Sequence, residues 1–371
     1  MSIIIFIIVL GILIFVHELG HFIFAKKTGM LVEEFAIGFP PRIFSFKKGE
    51  TKYSIGLIPI GGFVKIHGEE YEEKDKEDNG EKTKSHKRRF TSRPKWAQAV
   101  VLIAGVSFNL LLAWMLISIG FMSGLPVSVD QFEGEKISDP MLILVNVLPD
   151  SPAMEAGLKV GDSILYLESA SDSVQNIKGT EVVEDFIASH GGQEIDILYK
   201  RSGETGTALT KLIPKEGVIE GKPAIGVSFG MIGTIEFPFF RACWEGLKTT
   251  VSLTIATAVG LFYFLTDLVT GNADLSQISG PVGIVFMVGD AFSFGIIYLL
   301  SFVSIISINL AIINLIPIPA LDGGRLLFVL IEAIKGSPIK AKTVNWLNLT
   351  GFALLILLML IVTFGDVIKF F

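Results

Sequence analysis

Residues 3–25 have the sequence IIIFIIVLGILIFVHELGHFIFA, and this stretch decides which kind of fold the chain can adopt. It is long enough to cross a bilayer, which takes roughly 20 apolar residues, yet it contains the run His17-Glu18-Leu19-Gly20-His21. Ionisable side chains are costly at membrane depth and usually have a function there. A cleaved signal peptide is disfavoured, because residues 1–2 carry no basic side chain and Lys26 and Lys27 lie at the far end. The stretch therefore predicts a membrane helix that carries a functional site.

The composition places the whole chain in the membrane class. Of its 371 residues, 50% are hydrophobic and 18% are charged, and such a balance is rare in soluble enzymes. The net charge of -6 gives no indication of a nucleic-acid partner. Cys243 is the only cysteine, so an internal disulfide and a cysteine-rich metal site are both excluded.

Further apolar stretches predict a polytopic protein. Four are long enough to span a membrane, namely Ile3–Ala25, Ala97–Met122, Ile296–Ile316 and Leu349–Ile368. A fifth stretch, Leu247–Val269, is less clear because it contains Lys248, several threonines and Asp267.

Polar segments separate these stretches. Alternating apolar residues in Met30–Lys65 predict a short β-rich element, and the charge-dense segment Glu69–Arg89 predicts a mobile linker. Residues 126–235 have the pattern of a soluble domain. Lysines and arginines concentrate in the 26–96 loop and after Asp322. The positive-inside rule therefore predicts that these loops face the cytoplasm, with the amino terminus and the soluble domain outside.

The run from His17 to His21 has the spacing of a metal site. On a helix, His17 and His21 lie four residues apart on one face, so their two imidazoles can bind one Zn²⁺ with Glu18 beside them as general base. The alternative is a cluster at a helix end that faces water near the interface.

A catalytic zinc takes three protein ligands, and Asp322 is the candidate for the third. It follows Pro317 and Pro319, which cannot continue a helix, and precedes two glycines. Irregular backbone at membrane depth must be covered by protein or line a wet cavity, so we expect Asp322 to face such a cavity. The alternative is that Asp322 caps the N-terminus of a following helix.

Three asparagines lie within the apolar stretches and need hydrogen-bond partners there. Asn309 and Asn314 are candidates for contact with a substrate backbone, although an interhelical hydrogen bond is an equal alternative. For Asn109 the sequence favours a packing role.

Taken together, these motifs resemble the site-2 protease family of intramembrane zinc metalloproteases, and in particular the bacterial RseP type. The resemblance extends over nearly the whole chain. Besides the histidine run and residues 314–324, it rests on residues 58–65, 105–109 and 279–284. It implies that His17, His21 and Asp322 hold Zn²⁺, that Glu18 activates water, and that Asn314, with Asn309 a second candidate, contacts substrate. Residues 149–162 resemble part of a PDZ domain, of which we expect one.

The resemblance also implies a location, substrates and partners. The location is the bacterial cytoplasmic (inner) membrane. The substrates are single-span membrane proteins such as anti-sigma factors, or remnant signal peptides, whose extended segment pairs with the β-element. The PDZ-like domain binds substrate or excludes uncut substrate, and the remaining partner is membrane lipid.

The depth of the metal ligands constrains the number of spans. The histidines and Asp322 must lie at one depth in the membrane. The span that carries the histidines and the span that precedes Asp322 must therefore run in the same direction, which requires an odd number of crossings between these two spans. We therefore expect Leu247–Val269 to lie on the outer surface and the protein to have four transmembrane helices.

The expected fold is thus a polytopic α-helical membrane protein with a membrane-associated β-element and an inserted extracytoplasmic PDZ-like α/β domain. Its expected segments are helix 1 with the metal motif (1–25), a cytoplasmic loop with the β-element (26–96), helix 2 (97–122), the PDZ-like domain (126–235), an extracytoplasmic membrane-surface segment (236–295), helix 3 with the third ligand (296–324), a cytoplasmic helix and loop (325–348) and helix 4 (349–371). The competing classes are a non-catalytic membrane scaffold and a transporter. The complete metal motif disfavours the scaffold, and the absence of paired repeats of spans disfavours the transporter.

Overall fold

The computed structural model describes residues 1–69, 87–132, 134–175, 177, 179–201, 206–219, 221–272 and 279–370. They form two compact units. The first contains Met1–Ser118, Cys243–Phe292 and Leu299–Phe371, and the second contains Ile119–Ala242 and Ser293–Tyr298. Most of the predicted linker Glu69–Arg89 lies outside the described residues.

The α-helices and strands have the following bounds. The helices are α1 (Ser2–Lys27), α2 (Lys95–Met122), α3 (Pro152–Glu155), α4 (Thr180–Ser189), α5 (Phe239–Thr270), α6 (Pro281–Phe294), α7 (Ile296–Leu315), α8 (Asp322–Lys335) and α9 (Ala341–Phe370). The strands are β1 (Val32–Lys48), β2 (Thr51–Ile66), β3 (Leu125–Ser128), β4 (Ser138–Val147), β5 (Ser163–Ser169), β6 (Ser173–Val174), β7 (Ile195–Lys200), β8 (Ala208–Leu212), β9 (Lys215–Ile219), β10 (Lys222–Ala224) and β11 (Val227–Ile235).

Five of the described helices are long and apolar enough to cross a membrane, and the chain is a multi-pass membrane protein. They are α1, α2, α5 up to Leu268, α7, and α9 up to Ile368. Four of them overlap the four spans expected from the sequence, although α7 ends at Leu315, one residue before the expected end. The fifth stretch is part of one continuous helix, α5. Length and composition alone give five candidates, so the expected count of four stays a prediction.

Small residues allow the helices of the first unit to approach closely, as they do in membrane proteins generally. A Cβ on Gly20 of α1 would lie 2.5 Å from the carbonyl oxygen of Ala104 in α2. A Cβ on Gly246 of α5 would likewise collide with Ser118 of α2. The backbones of α1 and α2 are therefore in near contact beside the histidine run.

Strands β1 and β2 form a two-stranded sheet that folds back on itself. Residues 32–37 pair with residues 62–66 and also with residues 52–55. Among the described residues, segment 62–66 has strand partners only in 32–37, so it is an edge. The sheet packs against α1, and its core includes Phe35 and Val64. The β-rich element expected in Met30–Lys65 therefore forms.

The second unit is built on a sheet with the strand order β3-β11-β4-β5-β7-β8, with β6 paired to β5. Its apolar core is covered by α4, which buries Val183, Phe186 and Ile187. The buried carboxylate of Asp162 is satisfied by two hydrogen bonds from Arg201, at 2.8 and 2.6 Å, and one from the backbone N–H of Lys159. Its strands begin at Leu125 and end at Ile235, and the bounds expected for the domain, 126–235, stay a prediction.

Candidate metal centre

Helix α1 places the two histidines at one spot. His17 and His21 lie on the same face, as their spacing predicts, and each is only 8% exposed. Their rings meet edge to face, with centroids 4.8 Å apart. Both imidazoles are thus removed from solvent and directed toward a common point.

The chain segment between α7 and α8 brings Asp322 to the same point. Helix α7 ends at Leu315, before Pro317, and α8 begins at Asp322. A Cβ on Gly324 would lie 2.6 Å from the carbonyl carbon of Ile318, so only glycine allows α8 to start this close to the preceding turn.

Asp322 does not cap α8. The N-cap position is Leu321, and the structure shows no side-chain capping hydrogen bond there. The alternative role for Asp322 is therefore contradicted. Its carboxylate faces the histidines instead.

Three donor atoms form a nearly equilateral triangle. The Nε2 atoms of His17 and His21 are 3.1 Å apart, and they lie 3.0 and 3.1 Å from Oδ2 of Asp322. Within the described ranges this is the one group of three histidine, cysteine, aspartate or glutamate side chains that could hold a metal ion.

The second nitrogen of each ring contacts helix α2. Nδ1 of His21 lies 2.9 Å from the carbonyl oxygen of Val101. A carbonyl only accepts, so Nδ1 of His21 carries a proton, and in the neutral ring the lone pair is then at Nε2. Nδ1 of His17 lies 3.2 Å from the side-chain amide of Asn109. This contact goes beyond the packing role that the sequence favoured for Asn109.

Gly105 makes room for both rings. It lies on α2 midway between Val101 and Asn109, and these three positions share one face because they are four residues apart. A Cβ on Gly105 would lie 2.7 Å from Cε1 of His21 and 2.8 Å from Cε1 of His17. This face of α2 therefore lies directly against both rings, and the atom nearest to a Cβ on Gly105 would be Nε2 of His21.

The donor set fits zinc. Ligands about 2.0–2.1 Å from a tetrahedral Zn²⁺ are about 3.3 Å from one another, and the three donor atoms are within a few tenths of an ångström of that separation. Two imidazoles and a carboxylate are ligands that zinc accepts readily. The neighbours of the Nδ1 atoms resemble the hydrogen bonds that orient zinc-bound histidines elsewhere.

A cavity of about 790 Å³ opens beside the triangle, and Glu18 lines it together with the three candidate ligands. A Cβ on Gly62 would lie 3.5 Å from Cγ of Glu18, so the edge of β2 passes directly beside this carboxylate. Six consecutive residues, 61–66, line the cavity. Side chains of a strand alternate between its faces, so a continuous run along the wall indicates that the backbone edge itself faces the cavity.

Charged groups outside the membrane helices also line the cavity. Arg325 of α8 forms an ion pair with Glu69, and the charge of Glu69, followed by that of Asp322, raises the pKa of its guanidinium. Burial raises the pKa of Glu33, but hydrogen bonds from His67 and Lys65 outweigh it and hold that pKa below its ordinary value. These groups therefore give the cavity a lining that is in part polar and ionised at neutral pH.

The two candidate substrate-binding asparagines differ in position. Asn314 lines the cavity. Asn309 is half-buried and is not among the described residues that line it.

Comparison with known proteins identifies the family of the chain. The model of Peptidase family M50 matches residues 5–358, and the chain belongs to this family. It is accordingly a zinc metalloprotease.

The chain is similar along its full length to two proteins with RasP names. It is 33% identical to the regulator of sigma-W protease RasP of Bacillus subtilis, with 100% of this chain and 99% of the relative covered. It is also 33% identical to the zinc metalloprotease RasP of Geobacillus kaustophilus, covering 100% and 98%. A putative zinc metalloprotease of Clostridium acetobutylicum is 35% identical, covering 99% and 97%.

Proposed function

We propose that this protein hydrolyses peptide bonds within transmembrane segments of other membrane proteins, with Zn²⁺ held by His17, His21 and Asp322 and with Glu18 as the general base. The observation that carries the proposal is the triangle of donor atoms, 3.0–3.1 Å on each side, at the wall of a cavity that Glu18 shares. The histidines lie in one apolar helix, and Asp322 follows the end of another after a short non-helical segment. The reaction would therefore take place at membrane depth.

Zinc, when bound, lowers the pKa of a water molecule to about 7 and polarises the scissile carbonyl. Glu18 follows His17 directly and lines the same cavity, so its carboxylate can accept a proton from the attacking water and return it to the leaving amine. Val101 and Asn109 keep the two imidazoles in place during this transfer.

The substrate must be extended before it is cut, because a helix hides its peptide groups in internal hydrogen bonds. The backbone edge of residues 62–66 borders the cavity next to Glu18, and an extended peptide can add to the edge of a sheet as a further strand. Asn314, on the cavity wall, can hydrogen-bond the same segment. Asn309 is the second candidate for this contact, because it is not among the described residues that line the cavity.

The substrates that fit this arrangement are single-span membrane proteins, such as anti-sigma factors, and remnant signal peptides. One relative is named a regulator of sigma-W protease, and this name supports the first class.

The second unit would act as a PDZ-like domain that binds or excludes substrates. In the sheet of this unit, β11 pairs with β4 from Val227 onward but with β3 only from Ile232 onward. Residues 227–231 of β11 therefore have no partner in β3.

We further propose that the protein lies in the bacterial cytoplasmic membrane with four transmembrane helices and with its PDZ-like domain outside the cytoplasm. Helix α5 would lie on the outer surface. It is the least apolar of the five candidates, and no residue in its most apolar stretch is buried. Cysteines placed at exposed Val251 and Phe262 should both react with a membrane-impermeant thiol reagent from outside, in a Cys243→Ser background. Protection of both positions would show instead that α5 crosses the bilayer.

The proposed activity is tested with purified full-length protein in proteoliposomes that contain a single-span substrate. The wild type should cleave within the membrane segment, a zinc chelator should stop the reaction, and Glu18→Gln should bind zinc without cleaving. A scaffold would leave the substrate intact under every condition. A transporter would carry ions across the vesicle membrane and leave the substrate uncut.

Contact with the substrate is tested by photocrosslinking in the uncleaving Glu18→Gln variant. A photoreactive residue in place of Phe63, on the cavity edge, should capture the substrate. The same residue in place of Phe46, which pairs with Tyr53 away from that edge, should not. Equal capture from both positions would rule out strand addition at residues 62–66.

A further inference from the structure

Asn109 is one of the most deeply buried polar residues of the protein, with an exposure of 0%. Its side chain faces Nδ1 of His17 at 3.2 Å. Its backbone oxygen accepts a hydrogen bond, 2.8 Å long, from the hydroxyl of Ser307 in α7. Asn109 is thus the point in α2 that contacts both α1 and α7 beside the metal centre.

The two histidines are held in different ways. His21 donates to the backbone carbonyl of Val101, which fixes its proton on Nδ1 regardless of side chains. Among the residues that the structure describes, His17 has only the side chain of Asn109 at the equivalent nitrogen. The orientation of His17 therefore depends on the identity of one residue.

The chemistry of a metal-binding imidazole decides which amide atom must face His17. If Nε2 binds the metal, the neutral ring carries its proton on Nδ1 and needs an acceptor there. The NH₂ group of Asn109 cannot accept, whereas its amide oxygen can. A rotation of the amide by 180° exchanges the two atoms. The amide oxygen, as placed, is buried without a hydrogen-bond partner in the described part of the chain.

We propose that Asn109 is a positioning residue whose amide oxygen accepts a hydrogen bond from Nδ1–H of His17, and so holds this ring with Nε2 directed at the metal. The inference rests on the proposed role of His17 as a ligand. Residues that orient zinc-bound histidines in this way typically contribute about 10–100-fold to metal affinity.

The test is the Zn²⁺ affinity of full-length protein in detergent, measured by competition with a chromophoric chelator. Asn109→Leu removes both the donor and the acceptor, and should weaken zinc binding about 10–100-fold. Asn109→Asp keeps an acceptor and removes the donor, so it should bind zinc at least as tightly as the wild type. Cobalt bound in its place should give the wild-type visible spectrum in Asn109→Asp and a changed one in Asn109→Leu.

Two further variants serve as controls. Ser307→Ala removes a buried hydrogen bond to the backbone of the same residue and should leave zinc affinity unchanged, which separates ring positioning from local packing. His17→Ala tests the ligand assignment itself. If His17→Ala binds zinc like the wild type, the proposed metal centre is wrong.

If His17→Ala loses zinc while Asn109→Leu does not, only the positioning role fails. Equal loss in Asn109→Asp and Asn109→Leu also overturns that role, because an acceptor would then be insufficient. If Asn109→Leu does not fold, Asn109→Ala takes its place, with the same loss expected.

Discussion

Replacing Gly105 by alanine should disable the metal centre with a single methyl group. The new Cβ would lie 2.7 Å from Cε1 of His21 and 2.8 Å from Cε1 of His17. Carbon atoms in contact prefer about 3.5–4.0 Å, so each ring must move by about 0.7 Å or more. Neither ring is free to turn, because Val101 and Asn109 hold their Nδ1 atoms.

The magnitude follows from the tolerance of metal ligation. Zinc–nitrogen bonds vary by only about 0.2 Å, so a shift of about 0.7 Å moves at least one Nε2 out of bonding range. We expect Gly105→Ala to weaken zinc binding at least 10-fold, by the scale of lost ligand orientation, and to reduce cleavage at subsaturating zinc.

The assay is a zinc titration of the purified full-length protein against a competing chelator, with Gly11→Ala as the matched control. Gly11 is also a helical glycine, but a Cβ there would have no atom within 4 Å. The control should bind zinc like the wild type. Wild-type zinc affinity in Gly105→Ala would refute the placement of α2 behind the histidines.

Two further predictions concern the general base and an ion-pair cluster. Glu18→Gln should retain stoichiometric zinc and lose cleavage by about 100-fold or more, the scale of general base catalysis, as measured by metal analysis alongside substrate cleavage; wild-type turnover would remove Glu18 from the mechanism. Hydrogen bonds from Arg88 and then Lys26 lower the pKa of Glu50 from 4.5 to about 2. Because the folded pKa is the lower one, this contribution to stability is present above about pH 4.5 and is lost as the pH falls toward 2. The group is largely exposed, so Glu50→Gln should cost less than about 1 kcal/mol at neutral pH, and Tm values of wild type and variant should converge in acid; a difference that is undiminished at pH 2 would contradict this.

The parts of the site that follow from local sequence could be predicted. The spacing of His17 and His21 places them on one face of any helix. The prolines before Asp322 end the membrane helix, because proline cannot continue a helix. Irregular backbone at that depth is tolerated where protein covers it or where it lines a wet cavity. These local rules are sufficient to indicate three converging donors, although the assignment of Asp322 over an N-cap needed the structure.

The support behind the histidines could not be predicted in the same way. Whether Asn109 packs or contacts a ligand depends on how α2 is rotated against α1, and no local pattern fixes that rotation. The edge at residues 62–66 is similar, because it exists only through the way β2 folds back across β1. Helix α5 shows a third limit. Its threonine hydroxyls, as at Thr250 and Thr254, donate hydrogen bonds to carbonyls of their own helix. These polar side chains are therefore compatible with an uninterrupted helix over Phe239–Thr270, which the polar composition alone did not indicate.

The central claim is that two separate membrane segments supply the ligands of one zinc ion. X-ray absorption spectroscopy at the zinc edge, on the purified protein and on Asp322→Ala at matched zinc content, tests it directly. We expect the wild type to show two imidazole nitrogens and oxygen ligands at about 2.0–2.2 Å, and the variant to lose zinc or exchange a protein oxygen for solvent with weaker binding. An unchanged zinc affinity and an unchanged spectrum in Asp322→Ala would contradict the claim.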